Sequence, residues 1–132
     1  MVVTTGTRVV CAVIEHNDMV LAAHRKPDQT NGGLWEFPGG KVRVSEMLEA
    51  ALTREITEEL NVNLTIHRAL QPVWWEYPWI TVELFPFICS IADIRHPQPI
   101  DHAALRYVTP TEARSLPWAP ADRCIVDQYF NG

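Results

Sequence analysis

Between Gly39 and Val62 the chain sets Glu46, Arg54, Glu55, Glu58 and Glu59 behind a glycine pair, and no other stretch constrains the fold as tightly. Leu48, Leu52, Ile56 and Leu60 recur at successive i+4 steps, so the segment predicts a helix with one apolar stripe, capped by Ser45 and ending near Asn61. Glu55, Glu58 and Glu59 stand at i, i+3 and i+4 on that helix, which confines the carboxylates to an arc of roughly 100°. The stripe can dock on a sheet while the carboxylates face a cleft. Like charges this close repel, and at the C-terminal end of a helix they also oppose its dipole. A polycation is the natural compensation, and oxygen donors suit a hard ion, Mg²⁺ or Mn²⁺.

Gly40, five residues, Glu46, seven residues, then Arg54-Glu55-Ile56-Thr57-Glu58-Glu59-Leu60-Asn61-Val62 resembles the Nudix box. One defining position departs: the family writes glycine where this chain has Asn61. That position falls just past the helix, where left-handed backbone suits glycine first and asparagine next. The departure touches the cap and leaves the chemistry alone. The resemblance implies an α/β Nudix fold, a mixed β-sheet in an α/β/α sandwich, and hydrolysis of a nucleoside diphosphate linked to another group. It also implies a metal shell made by the Gly39 carbonyl with Glu55, Glu58 and Glu59, and an ion pair of Glu46 with Arg54 that braces the loop against the helix. The general base stays open between Glu55 and Asp101.

Outside the box, Leu34 to Lys41, Arg25 ahead of it, and Leu116 to Asp122 are similar to the MutT-type group, which includes 8-oxo-dGTP diphosphatases and CTP or methyl-dCTP pyrophosphohydrolases. This implies that Arg25 meets phosphates, that Glu36 and Phe37 through Gly39 line the nucleotide pocket, and that Asp122 reads the base edge. The MutT enzyme has asparagine at that last position. An ionised aspartate can only accept hydrogen bonds, so the swap favours a base with an amino donor such as cytosine N4, while 8-oxoguanine, whose N7 carries a hydrogen, stays compatible. Of Trp74, Trp75, Tyr77 and Trp79, the resemblance marks Tyr77 as the pocket-side aromatic, and Trp74 and Trp75 are expected in the core or at a sheet edge. Lys41 and Arg43 read either as loop cations that help with phosphates or as ordinary exposed charges.

The expected activity is a Mg²⁺-dependent nucleoside triphosphate pyrophosphohydrolase acting on a modified or pyrimidine nucleotide. Two alternatives stand beside it: hydrolysis of a dinucleoside polyphosphate, nucleotide sugar or RNA cap, and a non-catalytic recognition module. Such modules tend to lose the glutamates that this chain keeps.

At 132 residues the chain is read as a single domain over 1–132. A net charge of −5 argues against a nucleic-acid polymer as partner, while a small nucleotide substrate remains compatible because a divalent ion can carry the positive charge. The apolar run Val9 to Ile14 is too short to span a membrane and Met1 to Gly6 lacks a basic signal start, so a cytoplasmic protein is expected, monomer or homodimer. Cys11, Cys89 and Cys124 read as thiols in a reducing compartment, and the five histidines form no spaced zinc cluster.

The remaining pattern predicts strands over Arg8 to Glu15 and Met19 to His24 around a His16-Asn17-Asp18 turn, a loop from Pro27 to Gly33, and a short extended segment at Leu34 to Phe37. Strands are expected over Val62 to Val73, Thr81 to Ile91 and Leu105 to Val108, with a bend at Tyr77-Pro78 and a proline loop over Asp93 to Asp101. Thr109-Pro110-Thr111-Glu112 fits a capping box for a helix to Leu116, and a last helix is expected over Ala121 to Phe130.

Overall fold

The computed structural model describes residues 6–92 and 96–131. Of the proline loop expected over 93–101, residues 93–95 lie outside the described residues.

Strand β1 (Thr7–His16) is central, and every residue from Val10 to Ile14 is buried. Its side chains divide between two cores: Val10, Ala12 and Ile14 face one, Cys11 and Val13 the other. Burial on both faces explains why the segment reads as a continuous apolar run without polar alternation. Asn17 and Asp18, at φ 47° and 63°, make the tight turn into β2 (Met19–His24). Asparagine and aspartate tolerate this left-handed backbone better than most residues, which is why the turn was visible in the sequence.

Around this hairpin lie β3 (Trp35–Glu36), β4 (Gly39–Lys41), β5 (Leu64–Ala69), β6 (Val73–Tyr77), β7 (Ile80–Ile91) and β8 (Ala104–Val108). The sheet order is β3-β2-β1-β7-β5, with β4 paired to β1, β6 to β7 and β8 to β2. The sheet is mixed, because β1 and β7 run parallel while the other named pairs are antiparallel. Helix α1 (Leu48–Leu60) buries Ala51, Leu52, Ile56 and Leu60 against one face. Helices α2 (Pro110–Ser115) and α3 (Pro120–Asn131) supply Ala113, Ile125 and Val126 to the core on the other. Helices on both faces of a mixed sheet make the expected sandwich.

Helix α1 ends as expected: Asn61 is left-handed at φ 56°, ψ 44°, and its N–H returns to the Thr57 carbonyl at 3.1 Å. Its start differs. Ser45 lies at φ 64° inside a turn, Met47 is the N-cap, and no side chain caps the helix. Glu46 orders this turn instead, accepting the Arg43 N–H at 3.0 Å. The strand expected over Val62 to Val73 is two strands, because Pro72 has no N–H to donate and Leu70 leaves the ladder to bond the Pro86 carbonyl at 2.9 Å. Trp74 to Tyr77 therefore belong to β6, paired with β7 up to the Tyr77-Ile80 turn. Thr109 and Glu112 form the reciprocal capping box of α2.

Candidate active site

Gly39 and Gly40 lie where β4 is squeezed between β1 and α1. A Cβ on Gly39 would fall 1.9 Å from the Val10 carbonyl oxygen, so only glycine fits there, and one on Gly40 would fall 2.3 Å from the Glu55 carboxyl and push that side chain aside. The close approach brings the Gly39 N–H to Glu59 Oε2 at 3.3 Å. Arg54 locks the loop from the helix side. It donates to both oxygens of Glu46 at 2.8 Å, to Glu55 Oε1 at 2.8 Å and to the Lys41 carbonyl at 3.1 Å. Arg54, helped by the Arg43 N–H, holds the Glu46 carboxyl down at about 2.

The three helical carboxylates have separate surroundings. Glu55 packs against Gly40 and is held by Arg54. Glu58 is half exposed, 3.5 Å from Arg54 and 3.9 Å from Arg43. Glu59 faces the cavity, and its carboxyl is pushed up to about 8 by burial first and by the charges of Glu36 and Glu55 next. As the side chains lie, no three His, Cys, Asp or Glu residues among those described stand close enough to ligate one ion. The donor set nonetheless fits a hard divalent cation. It is all oxygen, and the Glu59 carboxyl, raised by burial and by the charges of Glu36 and Glu55, is one that a bound cation would ionise.

A cavity of about 460 Å³ runs from Glu59 to Asp122. At its far end the Phe37 N–H donates to Asp122 Oδ2 at 2.9 Å. The Phe37 ring stacks on Trp118 at 4.7 Å within the core, so it is the backbone of Phe37 that engages Asp122. Asp122 is 7% exposed, and burial, reinforced by the Glu36 charge, raises its carboxyl well above the ordinary range. A neutral carboxyl donates as well as accepts, which revises the acceptor-only reading of this residue. Arg25 lines the cavity with its guanidinium against Glu36, 3.2 Å from both oxygens, and with Nε 2.6 Å from the Thr30 carbonyl.

The aromatic group also divides. The Tyr77 hydroxyl accepts the Ala121 N–H at 3.2 Å, which anchors the hairpin to the first turn of α3. Trp79 stacks on Tyr77 at 5.0 Å and 20° and is 56% exposed at the cavity rim. Trp75 packs on the core, whereas Trp74, neighbouring it in β6, is 49% exposed. Asp101 lines the cavity from a loop tied to the end of α1, where the N–H groups of Gln98 and Ile100 donate to the carbonyls of Leu60 at 3.0 Å and Glu59 at 3.2 Å. Sequence reasoning missed His102, buried beside Asp101 and 2.9 Å from Glu36. Its contact joins residues 66 positions apart, and no local spacing signals it.

Carboxylates at the end of a helix, a glycine strand pressed on them and an adjoining cavity make up the candidate site. Residues 5–129 match the NUDIX domain, and the chain belongs to the Nudix family as a hydrolase of the MutT type. It is 34% identical over 123 residues to the CTP pyrophosphohydrolase of Escherichia coli K12, covering 92% of this chain and 90% of that protein. It is 34% identical over 116 residues to the putative 8-oxo-dGTP diphosphatase 2 of Mycobacterium tuberculosis H37Rv, covering 87% and 82%. The solution structure of the E. coli ORF135 protein superposes with a TM-score of 0.81 at 32% identity, covering 95% of this chain and 89% of that one. Nudix hydrolases generally require a divalent metal.

Proposed function

We propose that this hydrolase splits a nucleoside triphosphate into monophosphate and pyrophosphate, with a cytosine or modified base preferred and Mg²⁺ or Mn²⁺ as the ion. The observation that carries this reading is that one cavity has Glu59 at one end and Asp122 at the other. One end offers carboxylates for an ion and its phosphates, the other a buried hydrogen-bonding group for a base edge. The names of the E. coli and M. tuberculosis relatives, a CTP and an 8-oxo-dGTP enzyme, support the two base classes.

Gly39, Glu55, Glu58 and Glu59 would hold the ion, which supplies charge neutralisation of the phosphates and a more acidic water. Arg54 and Glu46 hold the glycine strand against α1 and so keep Gly39 and Glu59 in register. Of the two candidate general bases, Asp101 is favoured: Glu55 has an oxygen committed to Arg54, whereas Asp101 lines the cavity from an exposed loop. Trp79 offers a flat apolar rim for the base.

The test is a panel of CTP, dCTP, 5-methyl-dCTP, UTP, 8-oxo-dGTP, a dinucleoside polyphosphate, a nucleotide sugar and a capped RNA. Each is assayed with Mg²⁺ and with Mn²⁺ for separate release of pyrophosphate and orthophosphate. Pyrophosphate release from a cytosine triphosphate or from 8-oxo-dGTP at least tenfold faster than the hydrolysis of UTP, the dinucleotide, the sugar nucleotide or the cap supports the proposal. A faster cut of a dinucleotide, sugar nucleotide or cap overturns it.

A further inference from the structure

The cavity contains a histidine that neither the carboxylate end nor the base contact employs. His102 lies two residues ahead of β8, is 5% exposed, and reaches Glu36 Oε2 with Nε2 at 2.9 Å. Its Nδ1 is buried and has no hydrogen-bond partner among the described residues. An apolar side chain of similar volume would fill the space without leaving a polar atom unpaired, so what the imidazole contributes runs through Nε2. Because a carboxylate accepts, the partner assigns a hydrogen to Nε2.

Glu36 is held from several sides. Its backbone is paired to Ala23 of β2, Arg25 takes both carboxylate oxygens at 3.2 Å, and His102 takes one of them. The residue after His102 is itself fixed, since the Ala103 N–H donates to the His24 carbonyl at 2.8 Å. The residue after β2, strand β3 and the loop leading into β8 thus converge on one carboxylate. A carboxylate has about four lone-pair directions. These contacts engage three, and the Glu36 side chain lines the cavity between its two ends.

We propose that His102 is a positioning residue for nucleotide binding: with Arg25 it fixes Glu36 so that one lone pair of that carboxylate is held toward the cavity to accept a hydrogen bond from the nucleoside. The role rests on the nucleotide occupying this cavity, and it acts on affinity because Glu36 is anchored before the substrate arrives. Losing the anchor leaves the Gly39–Glu59 contact and the Arg54 brace intact, since neither involves His102.

The experiment compares His102→Leu, which removes the donor, with His102→Gln, whose amide can stand where Nε2–H does. Steady-state kinetics with CTP and Mg²⁺ are combined with calorimetric titration of CMP. His102→Leu should raise KM and weaken CMP about tenfold with kcat within about twofold, and the glutamine variant should recover most of the loss. Adding Glu36→Gln to His102→Leu should cause less than the product of the two single losses, because both act on one contact. Repeating the comparison with dCTP and UTP locates the donor: a penalty that vanishes with dCTP assigns it to the sugar 2′-hydroxyl, and one that vanishes with UTP to the exocyclic amino group. Wild-type protein that neither binds CMP nor cleaves any nucleotide of the panel would overturn the nucleotide reading itself. Wild-type binding with an unchanged KM in His102→Leu would overturn the role of His102 alone, and so would an equal fall in kcat that glutamine does not rescue.

Discussion

Arg54 grips Glu46 through two hydrogen bonds of 2.8 Å, joining α1 to the loop that precedes it. The same guanidinium reaches the Lys41 carbonyl at 3.1 Å, so one side chain ties strand, loop and helix together. Glu46→Gln keeps the size and one acceptor but loses the charge, and kcat/KM should fall about 10-fold to 100-fold, as for other groups that orient a metal site. Stability should follow in a defined direction. Glu46 is held down at about 2, so its contribution is complete above the ordinary carboxylate value of 4.5 and is lost as pH falls from there through 2. Acid unfolding of wild type and Glu46→Gln, followed by circular dichroism, should therefore converge at low pH. Curves that stay separated by the same interval at every pH would contradict the brace.

Glu59 titrates with the opposite sign. Its carboxyl is pushed up to about 8 from an ordinary 4.5, so between those values the folded chain keeps a proton that the unfolded chain has released. Metal-free protein should accordingly lose stability as pH rises across that window, by up to a few kcal/mol. Mg²⁺ at pH 8 should restore it, and Glu59→Gln should flatten the slope. Thermal melts in EDTA and in Mg²⁺ from pH 5 to 9 check this, and identical slopes for wild type and variant would refute it.

The parts of this architecture visible in the sequence are those set by local rules. The helix stripe, the Asn61 cap, the Asn17-Asp18 turn and the Thr109 capping box each depend on residues within a few positions of one another. Ser45 has the right identity for an N-cap, but the turn closed by Glu46 on the Arg43 N–H puts it in left-handed backbone ahead of the helix. The split between β5 and β6 carried its signal in Pro72, which an apolar reading of Val62 to Val73 passed over. At the site, spacing revealed the carboxylates on one helix. It could not reveal that Glu58 lies between Arg54 and Arg43, that Arg25 is engaged by Glu36, or that His102 completes that cluster. Those contacts depend on how β2, β3 and β8 pair.

Asp101 is carried by a loop fastened to the last turn of α1 through Gln98 and Ile100. If it takes the proton of the attacking water, Asp101→Asn should lower kcat by roughly 100-fold or more with KM little changed. Single-turnover measurement with saturating CTP isolates that step. A kcat within twofold of wild type would return the assignment to Glu55.

Trp79 and Tyr77 stack on each other but should fail differently. Trp79→Ala should raise KM for the preferred nucleotide by roughly 5-fold to 100-fold, the loss of one base–aromatic contact, while Trp79→Phe should retain most of the affinity. Tyr77→Phe keeps the ring and removes the acceptor of the Ala121 N–H. It should lower Tm by about 3–5 °C with a smaller effect on KM. Reversed effects, with Tm falling for Trp79→Ala and KM rising for Tyr77→Phe, would exchange the two roles.

Asp122 tests how the base is read. Phe37 occupies Oδ2, and burial with the Glu36 charge raises the carboxyl, so both its neutral and ionised forms bear on recognition. The ionised form matches an amino donor such as cytosine N4, and the neutral form can donate to a carbonyl. An unmatched pair of acceptors costs about 1–3 kcal/mol, so CTP should exceed UTP by roughly 10-fold to 100-fold in kcat/KM where the ionised form dominates. Lowering the pH fills the neutral form and should narrow the ratio; raising it should widen the ratio. Asp122→Asn has no such titration and can turn its NH₂ toward a carbonyl, so its CTP to UTP ratio should be smaller and flat with pH. Measuring kcat/KM for both nucleotides from pH 6 to 9 decides the matter: equal ratios in wild type and variant at every pH would mean that Asp122 only braces Phe37 and that the base is read elsewhere in the cavity.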